Sequence, residues 1–390
     1  MAEKADKIQT TAGAPLRILL MGDASNYHRC LAEGLRRLGH EAVVASDGTR
    51  WMNTERDIDL SRPLPGKAGG LLLWFIIKRL LSRKFSNYDI VSVNGTNFAS
   101  LRPERLRILF NHLLSHNRSV FVSVLGTDTH YVRTCTGDNP PLRYDEWQIN
   151  GKPSDYARAS RDEAERWLAP ELSALCRDVY TRSAGAVAAL YEYHKVYQTA
   201  VPDNRLAYGG IPIDTASIDY VGANAAGRKV RLFLGRHAER TLEKGTDRLL
   251  AAARRVVDAH PEACTLDIVE NIPYADYLKR LQEADIVLDQ LYSYTPATNA
   301  LLAMAMGKTV VSGGEPEYYD FIDEHDNRPI VNAIPDDDDA LYRAIEQIVL
   351  RPETLVDNGM KCRDFVIKHN DTVTVAKRFV NFWKKAHEEI

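Results

Sequence analysis

A twofold alternation of strand-like and helix-like segments constrains this chain more than any other feature of its sequence. "LRILLMG" (16–22) is a short apolar run closed by glycine, and "NYHRCLAEGLRRLGH" (26–40) then sets Leu31, Leu35 and Leu38 at helical spacing. After the Gly39 stop, "EAVVAS" (41–46) reads as a second strand. Strand, helix and strand inside about 30 residues form a βαβ unit, which implies a parallel sheet with helices on its faces. "YDIVSVNG" (88–95) and "SVFVSVLG" (119–126) extend the sheet, with "ERLRILFNHLLSHN" (104–117) crossing between them. "DVYTRS" (178–183), followed by "AGAVAALYEYHKVY" (184–197), repeats the theme as a strand and its helix.

The alternation pauses at "GGIPIDTASIDYVGANAAGRK" (209–229), which is rich in Gly, Ala and Asn, has weak periodicity and reads as a linker. It resumes with "VRLFLG" (230–235), a helix over 244–259, "TLDIVE" (265–270), a helix over 274–283, "DIVLDQ" (285–290), a helix over 298–306 and "TVVSG" (309–313). Two such units in series predict an α/β protein of two doubly wound, Rossmann-like domains, whose ligands sit at the carboxyl ends of the strands. The expected layout is a polar, disordered lead-in over 1–14, an N-terminal domain over 15–208, the linker, a C-terminal domain over 230–370 and a last helix over 371–390. That last helix carries Val375, Phe379, Phe382 and Trp383 on one side.

Length and composition agree with this. At 390 residues the chain exceeds one ordinary core, and 45% hydrophobic with 26% charged residues is normal for a globular protein. A net charge of −3 gives no reason to expect nucleic acid as a partner. Five scattered cysteines without a C-x-x-C pair make neither a disulfide framework nor a zinc site, and suit a reducing compartment. The polar start "MAEKADKIQTTAGAP" is not a signal peptide and no apolar run is long enough to span a bilayer, so a cytoplasmic protein is expected. The run "PDDDDA" (335–340) precedes a helical segment and reads as helix-start charge rather than a metal site.

The strongest local chemistry is in "FLGRHAERTLEKGTDRLLAAA" (233–253). A strand ends at Gly235, Arg236 follows, and Lys244-Gly245 opens a helix, so two cations flank a loop whose helix start already favours anions. A basic loop solvated at a helix start is the plain alternative.

The pattern G-R-x(7)-K-G-x-D-x-L-x-x-A in this stretch resembles the phosphate-gripping motif of GT-B glycosyltransferases, in particular the large family-4 group. "GHEAVV" (39–44) resembles that family's phrase after its first helix, and "GGIPIDTASI" (209–218) stands where the family opens its second domain. The resemblance runs from about Leu16 to the end. It implies a GT-B architecture, two Rossmann-like domains facing each other across a cleft, with the C-terminal helix returning to the N-terminal domain. It further implies a nucleotide-diphospho-sugar as donor substrate, no cofactor, no metal, and retention of anomeric configuration. Arg236 and Lys244 would bind the diphosphate, with Gly235 beside them. Glu270, Asn271 and Ile272 in "VENIPYADYL" (269–278) would line the nucleobase pocket.

In "YSYTPATNALLAMAMGK" (292–308) the family's two glutamates are replaced by Tyr294 and Leu302. Tyr294 would still adjoin the donor. Thr298 and Asn299 would present side-chain donors at a helix start that keeps its phosphate affinity. Glu315 and Glu317 in "GGEPEYYDFI" (313–322) are candidates for the missing carboxylate function, or else helix-start charge. On the N-terminal side, Asn26 and His28 in "GDASNYH" (22–28) and Asn94 and Asn97 in "VNGTNF" (93–98) are acceptor-site candidates. His28 has a structural reading as well. Asp128 in "LGTDTHYVR" (125–133) either orients the acceptor hydroxyl or the transferred sugar, or makes an Asx turn.

"GGLLLWFIIKRLLSRKF" (69–85) joins seven consecutive apolar residues to a basic tail. It is either a buried helix or an in-plane membrane helix with Lys78, Arg79, Arg83 and Lys84 on anionic head groups, useful for a lipid-linked glycan acceptor. A nucleotide-sugar epimerase and a non-catalytic nucleotide-sugar-binding subunit are the alternatives to a transferase. If the transferase reading holds, Arg236→Ala or Lys244→Ala is expected to cut turnover about a hundredfold or more, and near-normal activity in both variants would contradict it.

Overall fold

The computed structural model describes residues 14–49, 52–223, 225 and 227–388. All but the last residue of the expected lead-in lies outside this range. The N-terminal sheet has seven parallel strands in the order β3-β2-β1-β4-β5-β8-β9. They are β1 (Arg17–Met21), β2 (Glu41–Ser46), β3 (Ile58–Asp59), β4 (Ile90–Asn94), β5 (Ser119–Val124), β8 (Gly185–Ala188) and β9 (Leu206–Tyr208). A small antiparallel hairpin, β6 (Gln148–Ile149) with β7 (Lys152–Pro153), is inserted after β5. The C-terminal sheet is β11-β10-β12-β13-β14, again all parallel. Its strands are β10 (Val230–Arg236), β11 (Cys264–Glu270), β12 (Ile286–Leu288), β13 (Thr309–Ser312) and β14 (Val331–Asn332).

The strands form where the apolar runs predicted them. Ile18 to Met21 and all of β5 are buried, as strands covered by helices on both faces must be. In each sheet the chain starts in the middle and builds outward both ways. The strand order therefore reverses beside β1 and beside β10, which opens a crevice at the carboxyl ends.

One element differs from the sequence reading. "DVYTRS" ends the helix Pro170–Arg182, and the strand comes later, at Gly185–Ala188. Leu175, Cys176, Val179 and Tyr180 are buried at helical spacing, and that periodicity overrides the β-branched look of the last turn. The run "PDDDDA" behaves as expected: Asp337 caps the helix Asp338–Val349, accepting from the backbone N–H groups of Asp339 and Ala340.

The C-terminal helix Thr372–Glu388 crosses back to the N-terminal domain. Phe379 meets Tyr27 at 6.3 Å between ring centroids, and Phe382 and Trp383 pack on Phe121 of β5. Gly34 permits the close approach, since a Cβ there would stand 2.1 Å from the Thr372 carbonyl oxygen. The helix Gly66–Lys84 is half buried. Leu73, Trp74 and Ile77 face the core, whereas Leu71, Leu72, Phe75 and Ile76 are exposed, Phe75 by 52%. The expected burial thus holds for one face only. No helix among the described residues is long and apolar enough to cross a membrane.

Candidate functional site

A cavity of about 290 Å³ lies between the two domains, bounded by loops that leave the carboxyl ends of strands from both sheets. The N-terminal domain contributes Ser25 and Tyr27 after β1, Gly126 and Thr127 after β5, and Glu192 and Tyr193 after β8. The C-terminal domain contributes Arg240, Glu243 and Lys244 after β10, and Ser293, Ala297 and Thr298 after β12.

Lys244 ends a single helical turn, Thr241–Lys244, and Gly245 follows in the left-handed region at φ 64°. A side chain at Gly245 would meet Leu291, and the Leu291 N–H donates to the Lys244 carbonyl at 2.9 Å, so the turn is pinned against β12's exit. Among the described residues no acid lies within ion-pairing distance of the Lys244 ammonium. Close packing lowers its pKa; Asp289 opposes this shift, and Arg240 adds to it. The helix Thr298–Ala305 starts at the same wall, and its N-cap residue, Ala297, offers no side chain to its free N–H groups. A half-buried cation without an ion-pair partner and an uncapped helix start together make an anion site.

Several predicted residues stand near this site but outside its wall. Gly235 lies under the Tyr277 ring, and Arg236 leans toward Glu270 at 3.9 Å and toward the Thr241 hydroxyl at 3.4 Å. The Arg236 Nε is buried without a partner. Glu270 ends β11 beside it, and Asn271 and Ile272 follow, Asn271 exposed at φ 53°. Asn26 donates to the Cys30 sulfur, Asn94 is half-buried at the end of β4, and Asn97 is exposed. None of these lines the cavity.

Other predicted residues have different work. His28 is fully buried, with Nδ1 on the Gly22 carbonyl and Nε2 on the Ser123 hydroxyl, and burial pushes its pKa down to about 4. It ties β1's loop to β5 and is out of reach of an acceptor. Asp128 caps the helix Thr129–Cys135 through the N–H groups of His130 and Tyr131 and accepts from the Tyr180 hydroxyl at 3.0 Å. The structure thus shows the capping contact of Asp128, as the Asx-turn alternative expects. Asn299 donates to Asp289 at 3.1 Å and accepts from the Tyr277 hydroxyl, so its side chain serves the loop rather than a ligand.

No family model and no curated protein matches the chain. Solved structures resemble it in architecture. The sucrose-phosphate synthase of Thermosynechococcus elongatus aligns over 96% of this chain and 100% of its own, at 13% identity and a TM-score of 0.59. HepE of Anabaena, solved with UDP and glucose, aligns over 95% of this chain and 99% of its own, at 11% identity and a TM-score of 0.56. TarM of S. aureus, solved with fondaparinux, α-GlcNAc-glycerol and UDP, aligns over 81% of this chain at 12% identity and a TM-score of 0.52, and this chain spans 59% of that structure's length. The chain has the GT-B fold.

Across the GT-B cleft the two domains are locked by groups that the sequence reading assigned to the donor. Arg143, in the loop before the hairpin, pairs with Glu315 at 2.7 Å and with Glu317 at 2.9 Å. Its backbone N–H donates to the Tyr294 hydroxyl at 2.8 Å, the Tyr144 hydroxyl donates to Glu315 at 2.6 Å, and the Tyr144 and Tyr294 rings stack at 4.6 Å. Tyr294, Glu315 and Glu317 therefore hold the domains together and do not line the cavity. A second latch joins Glu192, whose carboxylate accepts from the hydroxyls of Ser293 at 2.5 Å and Thr295 at 2.6 Å. Burial raises the Glu192 pKa, partly offset by those hydroxyls.

The carboxyl groups that do line the cavity are Glu146, Glu192 and Glu243, none of them foreseen. Glu146 accepts from the Tyr131 hydroxyl at 3.0 Å, and burial, reinforced by the adjoining Asp145, raises its pKa well above the ordinary glutamate value. Nothing in "RYDEWQ" (143–148) or "YEYH" (191–194) marks these acids, because separate loops of the N-terminal domain carry Glu146 and Glu192 and the C-terminal domain brings Glu243 to them.

Burial tends to raise the Glu315 pKa, but the hydrogen bonds from Tyr144, Asn332 and Arg143 outweigh it and hold the carboxyl below its ordinary value. Its stabilising contribution is thus complete above the ordinary glutamate pKa and lost as pH falls below it. Arg143→Ala should cost about 2 kcal/mol at neutral pH, discounted for the half-exposed arginine, and Glu317→Gln under about 0.5 kcal/mol. Unfolding midpoints against pH check this: the advantage of wild type over Arg143→Ala should shrink in acid, and equal midpoints at neutral pH would refute the clamp.

Proposed function

We propose that this chain is a glycosyltransferase moving a sugar from a nucleotide-diphospho-sugar to a hydroxyl acceptor in glycan or surface-polysaccharide synthesis, with retention and without a metal ion. The observation that carries the reading is the unpaired Lys244 ammonium beside the uncapped helix start at Thr298, inside a GT-B cleft. Cleavage of a sugar–phosphate bond leaves a diphosphate with growing negative charge. A desolvated ammonium and a fixed helix start stabilise that charge without having to reorganise. An arriving anion also returns the lysine to its ordinary basicity, so charge development and binding reinforce each other. Arg236, on the hydroxyl of Thr241 that opens the Lys244 turn, would supply a second cation on leaving its loose pairing with Glu270. The donor would then rest on the C-terminal domain and the acceptor on the N-terminal loops. HepE and TarM, similar in fold, were solved with UDP.

A nucleotide-sugar epimerase is the second reading, favoured by one observation: Glu146 and Glu192 give the cavity carboxyl groups with raised pKa, suited to proton transfer. Product analysis with the sugar nucleotide alone separates the readings, since an epimerase needs no acceptor.

We further propose that the acceptor is lipid-linked and that the helix Gly66–Lys84 docks on an anionic membrane. Its exposed Leu71, Leu72, Phe75 and Ile76 form an apolar face, and exposed Lys78, Arg79, Arg83 and Lys84 supply the complementary charge.

Two outcomes check these proposals. In a thermal-shift screen, one of UDP, ADP or GDP should raise the unfolding temperature in a concentration-dependent way in wild type and not in Lys244→Ala; no shift with any of them would defeat the reading. In flotation, the protein should rise with phosphatidylglycerol vesicles and Phe75→Asp should stay behind. Equal flotation of the two would remove the membrane contact.

A further inference from the structure

The cavity wall carries two chemically distinct groups of residues. One is the anion site of Lys244 and Thr298. The other, which adjoins it on the same turn Thr241–Lys244, is formed by Glu146 from the N-terminal domain and the Arg240–Glu243 ion pair, in which the Arg240 Nε donates to Glu243 at 2.7 Å. Glu146 commits one oxygen to the Tyr131 hydroxyl and keeps part of its surface toward the cavity.

The backbone that delivers Glu146 is rigid. Asp145, 1% exposed, accepts from the N–H groups of Trp147 at 2.7 Å and Gln148 at 3.2 Å and from the Gln148 side chain at 2.8 Å. The Ser154 hydroxyl donates to the Glu146 carbonyl. Immediately before it, Arg143 and Tyr144 clamp the loop on Tyr294 and Glu315. The loop that fills the space over Tyr294 therefore also carries a carboxyl group into the cleft.

We infer that Glu146, a cavity residue supplied by the N-terminal domain, is a specificity-determining residue that hydrogen-bonds the hydroxyl groups of the sugar, with the Arg240–Glu243 pair completing that subsite. An anion-binding site and an adjoining cluster of hydrogen-bonding groups in one cavity match a ligand that carries a diphosphate next to a sugar's hydroxyls. A carboxyl oxygen is the acceptor that a sugar hydroxyl requires, and in a site sheltered from water an unmatched hydroxyl is strongly disfavoured. The raised pKa of Glu146 adds that, when protonated, the group can donate as well as accept. The inference rests on the nucleotide-sugar reading above and refines it.

The test compares thermal shifts given by UDP, ADP and GDP with those given by UDP-glucose, ADP-glucose and GDP-mannose, in wild type, Glu146→Leu and Glu146→Gln. For the base that binds, the sugar nucleotide should shift wild type more than the diphosphate alone. Glu146→Leu should lose that increment while keeping the diphosphate shift, and Glu146→Gln, which still donates and accepts, should keep at least half of the increment. An undiminished increment in Glu146→Leu overturns the inference. So does loss of its diphosphate shift, which would make Glu146 a support of the fold, and so does a wild type in which no sugar nucleotide exceeds its diphosphate. Failure of every diphosphate to shift the wild type would instead sink the nucleotide-sugar reading itself, and the inference with it.

Discussion

Arg143 crosses from the N-terminal domain to two carboxylates and a tyrosine hydroxyl of the C-terminal domain, and the shape of the cleft depends on that crossing. Glu315 is almost fully buried, so its charge requires a partner, and the partner must come from the other domain. Tyr144 and Tyr294 stack beside the pair, and the Arg143 guanidinium lies over both rings at 5.6 Å. Glu192 repeats the device a few residues away, with hydroxyl donors in place of a cation. With the domains fixed at these two points, the loops between them enclose a cavity whose charges are set by what the interface leaves unpaired.

What is left unpaired is informative. Most arginines around the cleft are matched to carboxylates: Arg240 to Glu243, Arg143 to Glu315 and Glu317, Arg248 to Asp338. Lys244 is not matched, and it faces the cavity beside a helix start that lacks a side-chain cap. A half-buried cation without an ion-pair partner gains from an arriving anion, which supplies the missing charge. This is the physical content of the diphosphate assignment, and it stands independently of the overall fold, which many chemistries share.

Much of the architecture was legible in the sequence because parallel strands covered on both faces are written as uninterrupted apolar runs. β1, β4, β5 and β10 to β13 fall where such runs stand, and the aromatic side of the last helix packs on the N-terminal domain, the return that the family resemblance implied. The strand placed at "DVYTRS" failed because a helix rich in Val and Tyr at its end imitates a strand over six residues. Site residues were legible only where the chemistry is local. Lys244 and Thr298 each sit at a helix boundary that the sequence marks. His28 and Asp128 sit at such boundaries too, but there the side chain satisfies its own backbone, an outcome that sequence spacing does not separate from ligand binding. The clamp made by Glu315, Glu317 and Tyr294, the latch of Glu192 and the place of Glu146 in the cavity were not legible for one reason: they depend on residues far away in the sequence, 151 to 174 positions for the clamp and 101 for the latch.

The central claim is that the anion end of the cleft, Lys244 with the helix start at Thr298, holds the diphosphate of a nucleotide sugar. A crystal structure of the protein with the sugar nucleotide that stabilises it most tests this directly. The account predicts diphosphate oxygens within hydrogen-bond distance of both the Lys244 ammonium and the first N–H groups of the helix Thr298–Ala305. A diphosphate bound elsewhere, with Lys244 still unpaired, would contradict it.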